Sequence, residues 1–205
     1  MALIDFERDV KAKAKLNGVT IYKGQGQFVN CPGEVPLRVQ GYFCDESLKL
    51  AVASKNENFI STYVHESCHM DQYLDGSEYW NSEVDNAYIL WDKALGPDSA
   101  EVSDSELEES LNIIVMLEAD CEIRTLQKIA DYGLDVDPDL YAQQANSYLF
   151  FHTAMNKYRR WYPMSKTPSK LNILPNSSVI PKLATTGMLL RPNNPKDNKL
   201  VNSIF

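Results

Sequence analysis

The sequence predicts an α+β domain of about five helices packed on a small antiparallel sheet, and three observations lead there. Apolar residues recur at helical spacing in five separated segments, each bounded by glycine, proline or a capping residue. Short β-branched and aromatic runs cluster before residue 54 and are divided by turn residues. With 44% hydrophobic and 23% charged residues in 205, the chain has ordinary globular composition and length enough for a substantial core. The expected division is a body over residues 1–162 and an extended arm over 163–205, where Pro, Asn, Ser and Lys dominate and apolar patches are short. No internal repeat is present.

In order, Leu3, Phe6, Val10 and Ala14 give an amphipathic helix over residues 3–17, stopped by Gly18. Residues 19–22 read as a strand. The segments 37–43 and 48–53 flank Cys44-Asp45-Glu46-Ser47 and read as an antiparallel hairpin. Residues 55–58 supply caps for a helix whose stripe of Phe59, Ile60, Tyr63, Val64 and Cys68 runs to Asp75-Gly76. Ser82-Glu83 opens a helix carrying Val84, Ala87, Tyr88, Trp91 and Leu95, read as core packing and ending at Gly96-Pro97. A capping box of Ser105 and Glu108 opens a long helix with Leu111, Ile114, Met116, Ala119, Ile123, Leu126 and Ala130 on its apolar side, up to Gly133. Asp137-Pro138 opens a last, aromatic helix that can run to Trp161 before Pro163.

Charge is unevenly placed. Residues 1–162 hold 14 basic and 27 acidic residues, whereas 163–205 hold six and one. An acidic body is not expected to bind nucleic acid, which draws on clustered Lys and Arg. The arm is the segment expected to contact a neighbouring copy or a partner. No basic leader with an apolar run opens the chain and no stretch approaches a membrane span, so a cytoplasmic location is expected. Cys31, Cys44, Cys68 and Cys121 show no C-x-x-C pairing and are expected as free thiols; Cys68 and Cys121 flank the site residues, and packing is favoured for them over ligating a metal.

One stretch implies chemistry. Residues 63–70 contain His65-Glu66-Ser67-Cys68-His69 inside a helix, and side chains four apart differ by about 40° around the axis. Both imidazoles therefore reach one point, as a divalent metal requires. Glu66 lies next to that point, suited to accept a proton from a water there without being a ligand. The chain has only three histidines, and a chance match to this pattern is on the order of 1%. Two half-buried histidines bonded to carbonyls would be the plain structural alternative.

A catalytic zinc takes three protein ligands and leaves one position open. Glu118 and Glu122, one turn apart on the long helix and beside its apolar stripe, form the pair from which a third is expected; Asp120 points away. His152 is the other candidate third ligand. It follows Tyr141, Ala145 and Tyr148 on one helix face, so Tyr148 or His152 could instead face a developing oxyanion, or both could belong to an aromatic core.

The succession of His65-Glu66-x-x-His69 on one helix and Glu118-x-x-x-Glu122 on a second resembles the gluzincin branch of zinc metallopeptidases. The order of elements over residues 1–160 is similar to compact gluzincins and to uncharacterised metallopeptidase-like proteins of bacteriophages. The resemblance implies a minimal zincin-like domain, Zn²⁺ held by His65, His69 and Glu118, Glu122 bracing the shell where that branch commonly has Asp, and Glu66 as general base. The implied activity is hydrolysis of a peptide or protein amide. The alternative is a catalytically silent binding protein, such as a phage virion component or an inhibitor of a host defence protein, using the acidic body or the basic arm.

Overall fold

The computed structural model describes residues 2–31, 37–96 and 99–142, and after these residues 144, 145, 148, 149, 152 and 159. The architecture is α+β: α1 (Ala2–Leu16), β1 (Thr20–Gly24), β2 (Val29–Cys31), β3 (Leu37–Val39), β4 (Gly41–Cys44), β5 (Lys49–Ala53), α2 (Phe59–Leu74), α3 (Val84–Leu95), a 3-10 turn (Ser99–Glu101) and α4 (Asp104–Tyr132). The described residues of 138–152 are helical and are termed α5. The expected arm over 163–205, Pro97 and the continuation of α5 toward Trp161 lie outside the described residues. Among the described residues no helix is long and apolar enough to cross a membrane.

The chain divides into two compact units, residues 1–77 with 124–138 and residues 78–123 with the chain from 139 onward; α4 contributes to both. In the first unit β5 is the central strand of the order β1-β5-β4. Leu50, Ala51, Val52 and Ala53 are buried in succession, the run without alternation that a strand covered on both faces requires. β4 pairs with β5 antiparallel, Gly41 opposite Val52 and Cys44 opposite Lys49, so the expected hairpin is present. Two details differ from the sequence reading. β1 joins β5 in parallel, making the sheet mixed; side-chain alternation is the same for either strand direction and carries no record of it. The stretch 37–43 is two strands, because residues 37–39 pair with β2 in a separate ribbon before the chain reaches β4.

α1 buries Phe6, Val10 and Ala14 and stops where Gly18 takes φ +73, a left-handed conformation that favours glycine. α2 packs on β4 and β5. Its entry is organised by Asn56, whose Oδ1 accepts from the Asn58 amide at 2.8 Å, while Asn58 makes no side-chain cap. Phe6 sets its ring edge-on to Tyr63 of α2 at 5.3 Å and to Tyr132 of α4 at 5.4 Å. The same three helices share ion pairs: Lys13 reaches Asp71 and Asp75, and Lys128 reaches Asp71.

In the second unit Ala87, Trp91 and Ala94 of α3 form a core with Val102, Leu107 and Ile114, and Leu149 of α5 joins Leu111, Val115 and Ala119 of α4. The capping box of α4 lies two residues before the expected pair. The Ser103 amide and hydroxyl both donate to Glu106, and the Glu106 amide donates to Ser103 Oγ. Ser105-x-x-Glu108 fits the same pattern, but the helix is already under way at Asp104. Met116 and Ile123, read as core, are exposed, whereas Leu107, Leu117 and Cys121 are buried. The buried positions of α4 span about 200° of its circumference, wider than a single amphipathic stripe.

Packing at Phe6 should outweigh the nearby charges. Phe6→Ala is expected to cost about 3–5 kcal/mol in denaturant unfolding, against less than about 1 kcal/mol for Lys13→Ala, whose ion pairs are partly exposed. Equal losses in the two variants would show that the charges, not the aromatic contact, join these helices.

Candidate metal centre

α2 buries an unusual set for a helix that packs on a sheet: Glu66, Ser67, His69 and Gln72 are all below 9% exposure. Moving such groups out of water without partners costs about 1–3 kcal/mol or more each, so where their hydrogen bonds go is informative. Ser67 Oγ donates to the Val64 carbonyl at 2.7 Å and accepts from Lys128 Nζ at 2.9 Å. His69 Nδ1 lies 2.8 Å from Gln72 Oε1. An amide oxygen only accepts, so Nδ1 carries the proton and Nε2 keeps its lone pair.

That lone pair faces His65. The two Nε2 atoms are 3.1 Å apart, with ring centroids at 4.7 Å and planes nearly perpendicular. Without a metal, His65 Nε2 donates a proton to His69 Nε2. Two imidazole nitrogens bound to one tetrahedral zinc at 2.0–2.1 Å are separated by about 3.3 Å. The spacing and chemistry of the pair are those a divalent cation would require, and Gln72 stands where an outer partner would fix the tautomer of such a ligand. Gln72 was not singled out in the sequence, although its position three residues after His69 puts it on the same helix face.

Glu66 lies on the side of α2 that meets β4. A methyl group built on Gly41 would be 2.8 Å from Glu66 Cγ, 2.8 Å from Thr62 Cγ2 and 3.1 Å from Glu66 Oε1. These separations are well inside the 3.5–4.0 Å of ordinary contact. Cys31 on β2 is close enough to feel this region: burial pushes its thiol above the ordinary value, with smaller contributions from Cys44 and Glu66.

On α4, Glu118 and Glu122 are 7% and 4% exposed. They fall in the middle of the buried arc, between Ile114 and Val115, not at its edge as the apolar stripe suggested. Tyr88 Oη donates to Glu118 Oε1 at 2.9 Å, and Tyr141 Oη donates to Glu122 Oε2 in a short bond. Burial, reinforced by the Glu118 charge, pushes the Tyr88 phenol well above its ordinary value, so it remains a donor. Neither tyrosine was assigned a polar role from sequence. Both sit in apolar stripes, where the pattern registers the ring and hides the hydroxyl.

Comparison with known protein families, curated proteins and solved structures returns no match. The site therefore rests on its own geometry and on the motif.

His152, the remaining histidine, is buried and stacked on Trp91 at 4.9 Å, with Tyr148 edge-on at 4.5 Å. Its Nδ1 lies 3.0 Å from the Tyr148 carbonyl and so carries the proton. Burial pushes the imidazole below its ordinary value; Glu118, the Tyr148 carbonyl and Glu122 act in the opposite direction without prevailing. It is a neutral ring packed among aromatics. Cys68 and Cys121 are fully buried, and all four cysteines are free thiols.

If Gln72 fixes the His69 tautomer, Gln72→Leu, which keeps the size and removes the acceptor, should weaken zinc binding about 10- to 100-fold in competition with a chromophoric chelator. An affinity equal to that of the unaltered chain would remove Gln72 from the site.

Proposed function

We propose that the protein is a zinc-dependent peptidase of zincin-like type. The observation that supports this most is the pair of Nε2 atoms at 3.1 Å on α2, with the tautomer of one set by a buried glutamine. A packing role for these histidines does not call for both Nε2 atoms to converge on one point. In this reading His65 and His69 hold the ion together with Glu118 of α4, and Glu122 braces the shell. A zinc held there would lower the pKa of a bound water and polarise the scissile carbonyl.

The chain's own residues do the rest. Glu66, next to the ligands in sequence but directed toward the sheet, takes the proton of the attacking water and returns it to the departing amine nitrogen. Tyr88 and Tyr141 hold the two α4 carboxylates by neutral hydrogen bonds, which orient them without cancelling their charge. Of the two residues considered for the oxyanion, Tyr148 has a hydroxyl that can donate. His152 has its only ring N–H committed to a carbonyl, so its other nitrogen accepts and serves such an anion poorly. The substrate is a peptide or protein. The four free thiols support a reducing cytoplasm, that of the host cell if the gene belongs to a phage.

A second reading is favoured by the charge split between residues 1–162 and 163–205: a binding protein with a zincin-like body and no turnover, engaging a partner or a second copy through the basic segment. Deleting 163–205 should then abolish the biological effect while leaving metal content unchanged.

Metal analysis of the purified, zinc-reconstituted chain should return one zinc per chain; none would defeat both readings of the motif. Glu66→Gln should retain that zinc and lose about 10²–10⁴-fold in turnover on peptides identified from a library. Undiminished turnover would remove Glu66 as the base. Among Glu118→Gln, Glu122→Gln and Cys121→Ser, loss of zinc should be greatest for Glu118→Gln, and a larger loss in either of the others would reassign the third ligand.

A further inference from the structure

We propose that Gly41 is a positioning residue for Glu66: the missing side chain on β4 leaves the space in which the catalytic carboxylate is held. The proposal rests on Glu66 acting as the base, and goes beyond it by locating what fixes its conformation. Two contacts carry it. A Cβ at Gly41 would fall 2.8 Å from Glu66 Cγ and 3.1 Å from its Oε1, and the same Cβ would fall 2.8 Å from Thr62 Cγ2.

Neither neighbour yields easily. Thr62 is β-branched on a helix and has few alternative rotamers. Glu66 would be struck at Cγ, midway along its side chain, so relief requires a new χ1 or χ2, not a small swing of the carboxylate. Gly41 itself cannot simply retreat. It opens β4, opposite Val52 of the central strand, and the preceding Gln40 carbonyl accepts from the Ala53 amide at 2.8 Å. Strand pairing holds one side of the gap, so relief falls on Thr62 and Glu66, and of the two Glu66 has the more adaptable side chain. The glycine is not explained by backbone conformation, since the positive-φ glycines are Gly18, Gly76 and Gly133. What excludes a larger residue is the approach of α2.

The strand therefore sets the base while the helix sets the ligands. A change at position 41 should misplace the proton acceptor and leave the imidazoles, which project from α2 about 100° and 60° around the axis from Glu66, able to bind metal. A displacement of about 1 Å at a reacting group is enough for losses near 10²-fold.

The test uses the full chain with Gly41→Ala, Thr62→Ser and the double variant. Thr62→Ser removes Cγ2, so it relieves the helix contact and not the Glu66 contact. In Gly41→Ala, kcat on a cleaved library peptide should fall about 100-fold with KM within about twofold and zinc stoichiometry unchanged. The carboxyl ¹³C resonance of Glu66, identified by its disappearance in Glu66→Gln, should move. The double variant should regain thermal stability and not kcat. An unmoved resonance in Gly41→Ala, or full recovery of kcat in the double variant, overturns the proposal and leaves Gly41 as a helix–sheet packing residue. If Gly41→Ala does not fold, the comparison is the double variant against Thr62→Ser, and identical resonances and rates overturn it. Failure of the unaltered chain to cleave any peptide would defeat the peptidase reading instead, and the resonance would still decide the role of Gly41.

Discussion

The constraint on which the first unit depends is that α2 buries polar side chains around most of its circumference. A helix packed against a central strand such as β5 would be stabilised by apolar residues at those positions. Tyr63, Val64, Cys68 and Met70 do fill that role, but they are interleaved with Glu66, Ser67, His69 and Gln72. Each polar group needs a partner supplied by another part of the fold or by the helix itself. Ser67 finds the Val64 carbonyl and Lys128, and His69 finds Gln72 and His65. Helix α4 is thereby required for more than apolar cover, because its last turns bring both Lys128 and Tyr132 to the first unit. Departures of this kind from the stability-optimal pattern cluster where a protein uses the side chains.

The carboxylates of α4 pose the same problem in the second unit and meet it differently. Glu118 and Glu122 occupy the middle of the buried arc, and the groups that address them, Tyr88 and Tyr141, are neutral donors. An arginine in either place would neutralise the charge and hold the carboxylate as an ion pair. A phenol fixes the direction of the oxygens without bringing a positive charge to them. That is the condition a hard or borderline cation requires of a carboxylate ligand. His152, stacked on Trp91, is close enough to feel both carboxylates, and its burial there strengthens any charge interaction made.

Much of this was legible in the sequence, and the reasons for what was not are physical. Helix positions followed from period, caps and stops: Gly18, Gly76 and Gly133 all take positive φ at helix ends. The spacing of His65 and His69 was enough to place their rings together, since a helix fixes that geometry locally. The direction of β1 was not legible, because parallel and antiparallel partners demand the same alternation. Residues 37–43 look continuous although they change partner at Gln40, because pairing with a distant strand leaves no mark on local alternation. The capping box was missed by two residues because Ser103 and Ser105 both begin an S-x-x-E pattern. Tyr88 and Tyr141 were hidden for a different reason: a tyrosine satisfies an apolar stripe with its ring, and only the fold reveals where its hydroxyl points.

The division of labour around α2 has a mechanical consequence. On a helix Glu66 stands about 60° from His69 and 100° from His65, so in the proposed reading one rigid element would carry both ligands and base and present them to different walls. The ligand side is steadied from within the helix, by Gln72 one turn on. The side that carries Glu66 meets the sheet, where Gly41 leaves room for it. If the proposed roles hold, metal affinity and proton transfer would be governed by different contacts, although the residues responsible are adjacent in sequence. A packing helix with two incidental histidines would have no reason to keep these two supports distinct.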